Sequence, residues 1–82
     1  MATTQQDIRE WFERGVEQGA THMIVVCDTF DYEDYPVYVP PDKIPQVVYE
    51  EYQGKNMQRV MEVYDLSEDM EAQLKQHRAF ST

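Results

Sequence analysis

The first apolar stripe lies near the N-terminus. Ile8, Trp11, Phe12 and Val16 fall at i, i+3, i+4 and i+8, the spacing of one helical face. Thr4 with Asp7 three residues on is a capping-box-like start, and Gly19 suits a left-handed C-cap. Asp7, Arg9, Glu10, Glu13, Arg14 and Glu17 fill the rest of that surface, with Glu10 and Arg14 in the favourable i, i+4 order. Gly15 inside the helix costs about 1 kcal/mol relative to Ala, so its place there predicts a close approach by another backbone.

The pattern then changes period. Thr21 to Phe30 is β-branched, short and apolar at consecutive positions, which predicts a strand covered on both faces. Asp31-Tyr32-Glu33-Asp34 reads as a turn and Tyr35 to Val39 as a second strand. Pro36 has no N–H to give a ladder, so that strand is expected to sit at an edge or to begin with an unpaired residue. Pro40-Pro41 stops it. Asp42 is the expected cap of a second helix with Pro45 in its first turn, an inner side of Ile44, Val47, Val48 and Tyr52, and an end at Gly54. Met57 to Leu66 reads as a third strand, with Met57, Met61 and Val63 on one face and Val60, Tyr64 and Leu66 on the other. Ser67 is the expected cap of a last helix whose first turn carries Glu68, Asp69 and Glu71, where the helix dipole favours acids. Met70, Leu74 and His77 or Arg78 form its inner edge.

The predicted order is α-β-β-α-β-α. A right-handed crossover from the second strand to the third, passing over one strand, sets the third beside the first. The expectation is therefore an α+β fold: a three-stranded antiparallel sheet in the order 2-1-3 with three helices, built as one domain over residues 1–82.

Charge and length narrow the function. The chain has 82 residues, with 16 acidic and 7 basic side chains and a net charge of -9. Counterion release from nucleic acid needs Lys and Arg, and an anionic bilayer repels acids, so neither direct nucleic-acid binding nor membrane binding is expected. Cys27 is the lone cysteine. It excludes an internal disulfide and, with no basic, apolar leader at the N-terminus, points to the reducing cytoplasm. One small core predicts help from oligomerisation, and a homodimer is favoured.

The chemistry-bearing residues concentrate after the first strand. Asp28, Asp31, Glu33 and Asp34 are four carboxylates within seven residues, interleaved with Tyr32, Tyr35 and Tyr38. Clustered oxygens suit hard cations. Yet an EF-hand loop starting at Asp28 would need Gly at its sixth position and Glu at its twelfth, where Glu33 and Val39 stand. The alternatives are a solvated turn or a recognition surface, because Tyr is enriched in interface hot spots and carboxylates pair with a partner's Arg and Lys. The acids Glu62, Asp65, Glu68, Asp69 and Glu71 form a second negative run, read by default as a solvated face and otherwise as a mimic of spaced phosphates. His22 and Cys27 lie five apart on a strand and point to opposite faces, so they make no nucleophilic pair. An approach of His22 to His77 is the remaining histidine pairing. Trp11 and the three tyrosines could line an aromatic pocket, but the basic residues are scattered and no Gly-rich phosphate loop exists. No catalytic residue, metal ligand set or cofactor site is assigned.

The passage Gly19 to Val39, GATHMIVVCDTFDYEDYPVYV, and the tail Met61 to Leu66, MEVYDL, resemble segments of small uncharacterised acidic proteins encoded by bacteriophages. That resemblance implies a phage product in the host cytoplasm and supplies no activity. The expected function is a non-enzymatic binding protein. It acts on a host defence or regulatory protein with a basic surface, through Asp28, Asp31, Tyr32, Glu33, Asp34, Tyr35 and Tyr38. The alternative is a sequestering binder of a small nucleotide-type signal, with at least one Arg in a pocket. A metal-dependent enzyme built on the 28–34 carboxylates ranks a distant third.

Overall fold

The computed structural model describes residues 3–55 and 57–76. Its elements are α1 (Gln5–Gln18), β1 (His22–Asp28), β2 (Glu33–Val39), α2 (Pro45–Gln53), β3 (Gln58–Asp65) and α3 (Met70–Gln76). The three strands form one antiparallel sheet in the order β2-β1-β3. The α+β fold, its element order and its strand order are those the sequence pattern predicts.

The first helix forms for the reasons its sequence gives. Thr4 Oγ accepts from Asp7 N at 3.2 Å, and Asp7 Oδ2 accepts from Thr4 N at 3.0 Å, a reciprocal capping box. Gly19 ends the helix at φ 78°, in the left-handed region. Gly15 does allow a close approach, but by side chains. A Cβ there would lie 2.6 Å from Leu66 Cδ1 and 2.9 Å from the Tyr38 ring.

Two expected caps are displaced. Asp42 does not cap α2: the N-cap is Ile44, without a side-chain hydrogen bond, and Pro45 takes the first helical position. Proline has no N–H to satisfy and its ring presets the helical φ, so the helix starts there unaided. Ser67 does not cap α3. Its N–H and hydroxyl donate to Asp65 Oδ1 at 2.9 and 2.6 Å, while Asp69 Oδ2 accepts from Ala72 N at 3.3 Å. The shorter Asx turn wins Ser67, and the cap falls to the acid directly before Met70. His77 and Arg78, expected on the inner edge of this helix, lie outside the described residues, as does any approach of His22 to His77.

β1 is the buried middle of the sheet. Met23, Ile24, Val25 and Val26 are all fully buried, so both faces of the strand are covered. On one face Met23 and Val25 join Ile8 and Phe12 of α1, Tyr64 and Leu66, and Leu74 of α3. On the other, Ile24, Val26 and Val39 pack with Val48 of α2, and Tyr52 lies against them. Fully burying each such side chain contributes about 1.5–3 kcal/mol.

The expected faces of β3 are corrected. Val25 pairs with Glu62 and Val26 with Val60, leaving Met61 as an extra residue at a bulge. The bulge reverses the alternation along the first half of the strand. Val60 therefore joins Val63 against the α2-side core, and Met61 packs with Tyr64 against the other.

The outer edge of β3 is occupied by side-chain amides. Gln73 Oε1 accepts from Asp65 N at 2.7 Å, and its Nε2 donates to Asp65 O at 2.8 Å. Gln53 Oε1 accepts from Val60 N at 3.3 Å. These groups take ladder positions that another strand would otherwise use. Because Asp65 turns both main-chain groups outward, strict alternation makes Pro36, opposite Val25, face outward on β2 as well. The missing N–H of Pro36 thus falls on the sheet's other edge.

Candidate functional site

The hairpin tip is built on one aspartate. β1 ends at Asp28 and β2 begins at Glu33, so Thr29 to Tyr32 is the loop. Asp28 Oδ1 accepts from Phe30 N at 2.9 Å and Asp31 N at 3.4 Å, and Asp28 O accepts from Tyr32 N at 2.6 Å. This Asx turn ends the strand two residues before Phe30, where alternation alone had carried it.

Two residues at this end hold an uncommon backbone. Tyr32 has φ 57° and Met57 has φ 61°, a region that bulky L-residues seldom occupy and that costs about 1–3 kcal/mol each. They are joined through Thr29, whose N–H donates to Met57 O at 2.9 Å. Their side chains point to solvent, as does that of Phe30. Phe30 is 70% exposed, Tyr32 75% and Met57 58%. Around them stand the exposed carboxylates of Asp31 and Glu33.

The expected site residues divide into groups. Asp28, Asp31, Tyr32 and Glu33 meet at the tip, with Asp28 engaged in holding the turn. Asp34 sits one step inward, where Oδ2 accepts from Thr3 Oγ at 2.5 Å. Tyr35 and Tyr38 are three apart on a strand and leave by opposite faces. The Tyr35 hydroxyl donates to Gln58 Oε1 on the α2 side. The Tyr38 hydroxyl donates to the Trp11 carbonyl at 2.8 Å on the α1 side. Burial pushes the phenol pKa of both upward. Trp11 packs against the α1-side core, so these aromatics do not line one pocket. Phe30 and Met57, expected within the first and third strands, stand outside them at the tip. Asp28 two residues before Phe30 was the available signal, as an Asx-turn start.

Cys27 lies opposite Asp34 on β2 and Arg59 on β3. Its thiol pKa is raised, first by desolvation and then by a hydrogen bond to Asp34. That holds it as a thiol and not as a thiolate nucleophile.

The second acidic run is largely engaged within the fold. Asp65 binds Ser67, Asp69 caps α3, and Glu71 takes a two-point ion pair from Arg9, with Nε at 2.9 Å and Nη2 at 3.1 Å. That pair ties α3 to α1 and holds the Glu71 carboxyl below its usual range. Three of the five acids of this run are therefore engaged by local partners.

A hollow beside α2 is lined by His22, Ile44, Pro45, Gln46, Tyr49 and Val63. Among the described residues, its lining has no Lys or Arg to hold a nucleotide's phosphates. Among the described residues, no three His, Cys, Asp or Glu side chains are grouped so as to hold a metal ion. Among them too, no helix is long and apolar enough to cross a membrane. The chain matches no family model, no curated protein and no solved structure.

Proposed function

We propose that this chain is a non-enzymatic binding protein whose hairpin tip engages a basic surface on another protein. The observation that carries this reading is the tip itself. Phe30, Tyr32 and Met57 stand exposed around Asp31 and Glu33, on a backbone held twice in the left-handed region. Strain of this kind persists where the surrounding structure imposes it and often accompanies binding surfaces. Apolar side chains offer area to desolvate, and the two acids offer pairing to Arg or Lys. The net charge of -9 adds long-range steering toward a cationic partner. In the phage setting that the sequence resemblance implies, the partner is a host defence or regulatory protein.

The test is affinity capture from bacterial host lysate at low and high salt, with the native chain beside Phe30→Ser/Tyr32→Ser and Asp31→Ser/Glu33→Ser. The native chain should retain a partner at low salt and release it at high salt. Both double variants should lose it while keeping their melting temperatures. Equal capture by all three chains, or no capture at low salt, would remove the proposal.

A further inference from the structure

At the end of the sheet opposite the hairpin tip, the α1–β1 connection, the start of β1 and the end of β3 enclose a cleft of about 280 Å³. Val16, Ala20 and Leu66 make its apolar wall, and Thr21, His22, Asp65 and Ser67 supply its polar groups. The hydrogen bonds fix what those groups present. The Thr21 hydroxyl donates to Val39 O at 3.3 Å, so its oxygen accepts from His22 Nδ1 at 3.1 Å. In the neutral imidazole, Nδ1 then carries the ring hydrogen and Nε2 presents a lone pair. That lone pair faces Asp65 Oδ2 at 3.9 Å, too far for a direct hydrogen bond. The other oxygen of Asp65 is already held by the N–H and hydroxyl of Ser67, which also keeps the carboxyl pKa below its ordinary value. Having donated its hydrogen, Ser67 Oγ offers only lone pairs.

With His22 neutral, the cleft therefore presents three acceptors, His22 Nε2, Asp65 Oδ2 and Ser67 Oγ, and the negative charge of the Asp65 carboxylate. A donor nitrogen placed about 2.8–2.9 Å from both Nε2 and Oδ2 spans their separation. A primary ammonium has three donors, one positive charge and no acceptor, and its methylenes match the wall of Val16, Ala20 and Leu66. We infer that this cleft is a binding site for a primary alkylammonium group, as borne by a lysine side chain or a small free alkylamine. The site is independent of the hairpin tip, and tip variants leave it intact.

The test titrates the full-length chain with N-acetyl-lysine N-methylamide, with n-butylammonium and with the Nε-acetylated form of the first. The readouts are the His22 ring and the Asp65 and Ser67 amide NMR shifts. Both ammonium probes should give saturable shifts at millimolar concentration, and the acetylated probe none. A tighter fit for the lysine amide identifies a protein side chain as the source, and equal affinities identify the amine alone. Asp65→Asn still accepts from Ser67 but removes the charge, and it should weaken binding about tenfold or more. Ser67→Ala removes one acceptor and should weaken it less, which carries the comparison should Asp65→Asn unfold. Equal shifts from the acetylated probe, unchanged binding in a folded Asp65→Asn or Ser67→Ala chain, or no saturable shift would overturn the inference.

Discussion

The two ends of the sheet are built to opposite specifications. At the end where β1 begins and β3 finishes, main-chain groups are claimed by neighbours. Thr21 N donates to Val39 O at 2.8 Å, Leu66 N donates to Thr21 O at 3.0 Å, and Gln73 holds both groups of Asp65. Leu74, 3% exposed, seals the core there. At the hairpin end the loop rests on one carboxylate, two residues sit at positive φ, and three large apolar side chains face water. One end closes on its own main-chain partners and the other turns large apolar side chains to water. A small domain can keep strained, exposed residues only if stability is supplied elsewhere.

The contrast predicts a large asymmetry in stability. Leu74→Ala should cost about 2–5 kcal/mol by removing a buried side chain. Phe30→Ala should change stability by less than about 0.5 kcal/mol. Denaturant unfolding of the two variants measures this directly, and equal losses would break the comparison. Next in size is Gln73→Ala, which strips both partners from Asp65 and should cost about 1–3 kcal/mol. Because it bares part of the β3 edge, it should also raise the concentration dependence of light scattering.

Smaller effects sharpen the same contrast. Tyr32→Gly should stabilise the chain by roughly 0.5 kcal/mol. That is the difference between relief of about 1–2 kcal/mol at a left-handed position and the added chain entropy of glycine. The same change should weaken partner capture, separating stability from display. The smallest effect is in acid. Asp65 and Glu71 have carboxyl pKa values lowered in the fold, chiefly by Ser67 and by Arg9 respectively. A lowered folded pKa stabilises above the unfolded value and loses that stability as pH falls through the folded one. Melting temperature should therefore fall as pH drops below about 4. In Asp65→Asn that fall should be shallower, by a modest margin because the pair is half-exposed.

Much of the candidate site was legible as composition and little of it as geometry. The acids and Tyr32 stood out as a cluster, and four of the seven expected residues do meet at the tip. Tyr35 and Tyr38 were separated by the pleat. Their three-residue spacing within the expected strand, Tyr35 to Val39, already places them on opposite faces. Phe30 and Met57 were hidden because each reads as the end of an apolar strand, whereas the Asp28 turn and the left-handed Met57 take them out of the ladder.

Local chemistry was legible from the order of the residues alone. Capping residues, prolines and the two hydrophobic periods act over a few residues, so α1, the buried β1 and the edge position of β2 followed from them, and the handedness of the crossover added the order 2-1-3. Tertiary structure alone decided the faces of β3, since one bulged residue reverses a period-two pattern without marking the sequence. It also decided the pairing of Arg9 with Glu71 and of Gln73 with Asp65, and the side-chain approach to Gly15. Those contacts join residues on different elements, and only the docking of the helices on the two sheet faces brings them within reach of one another.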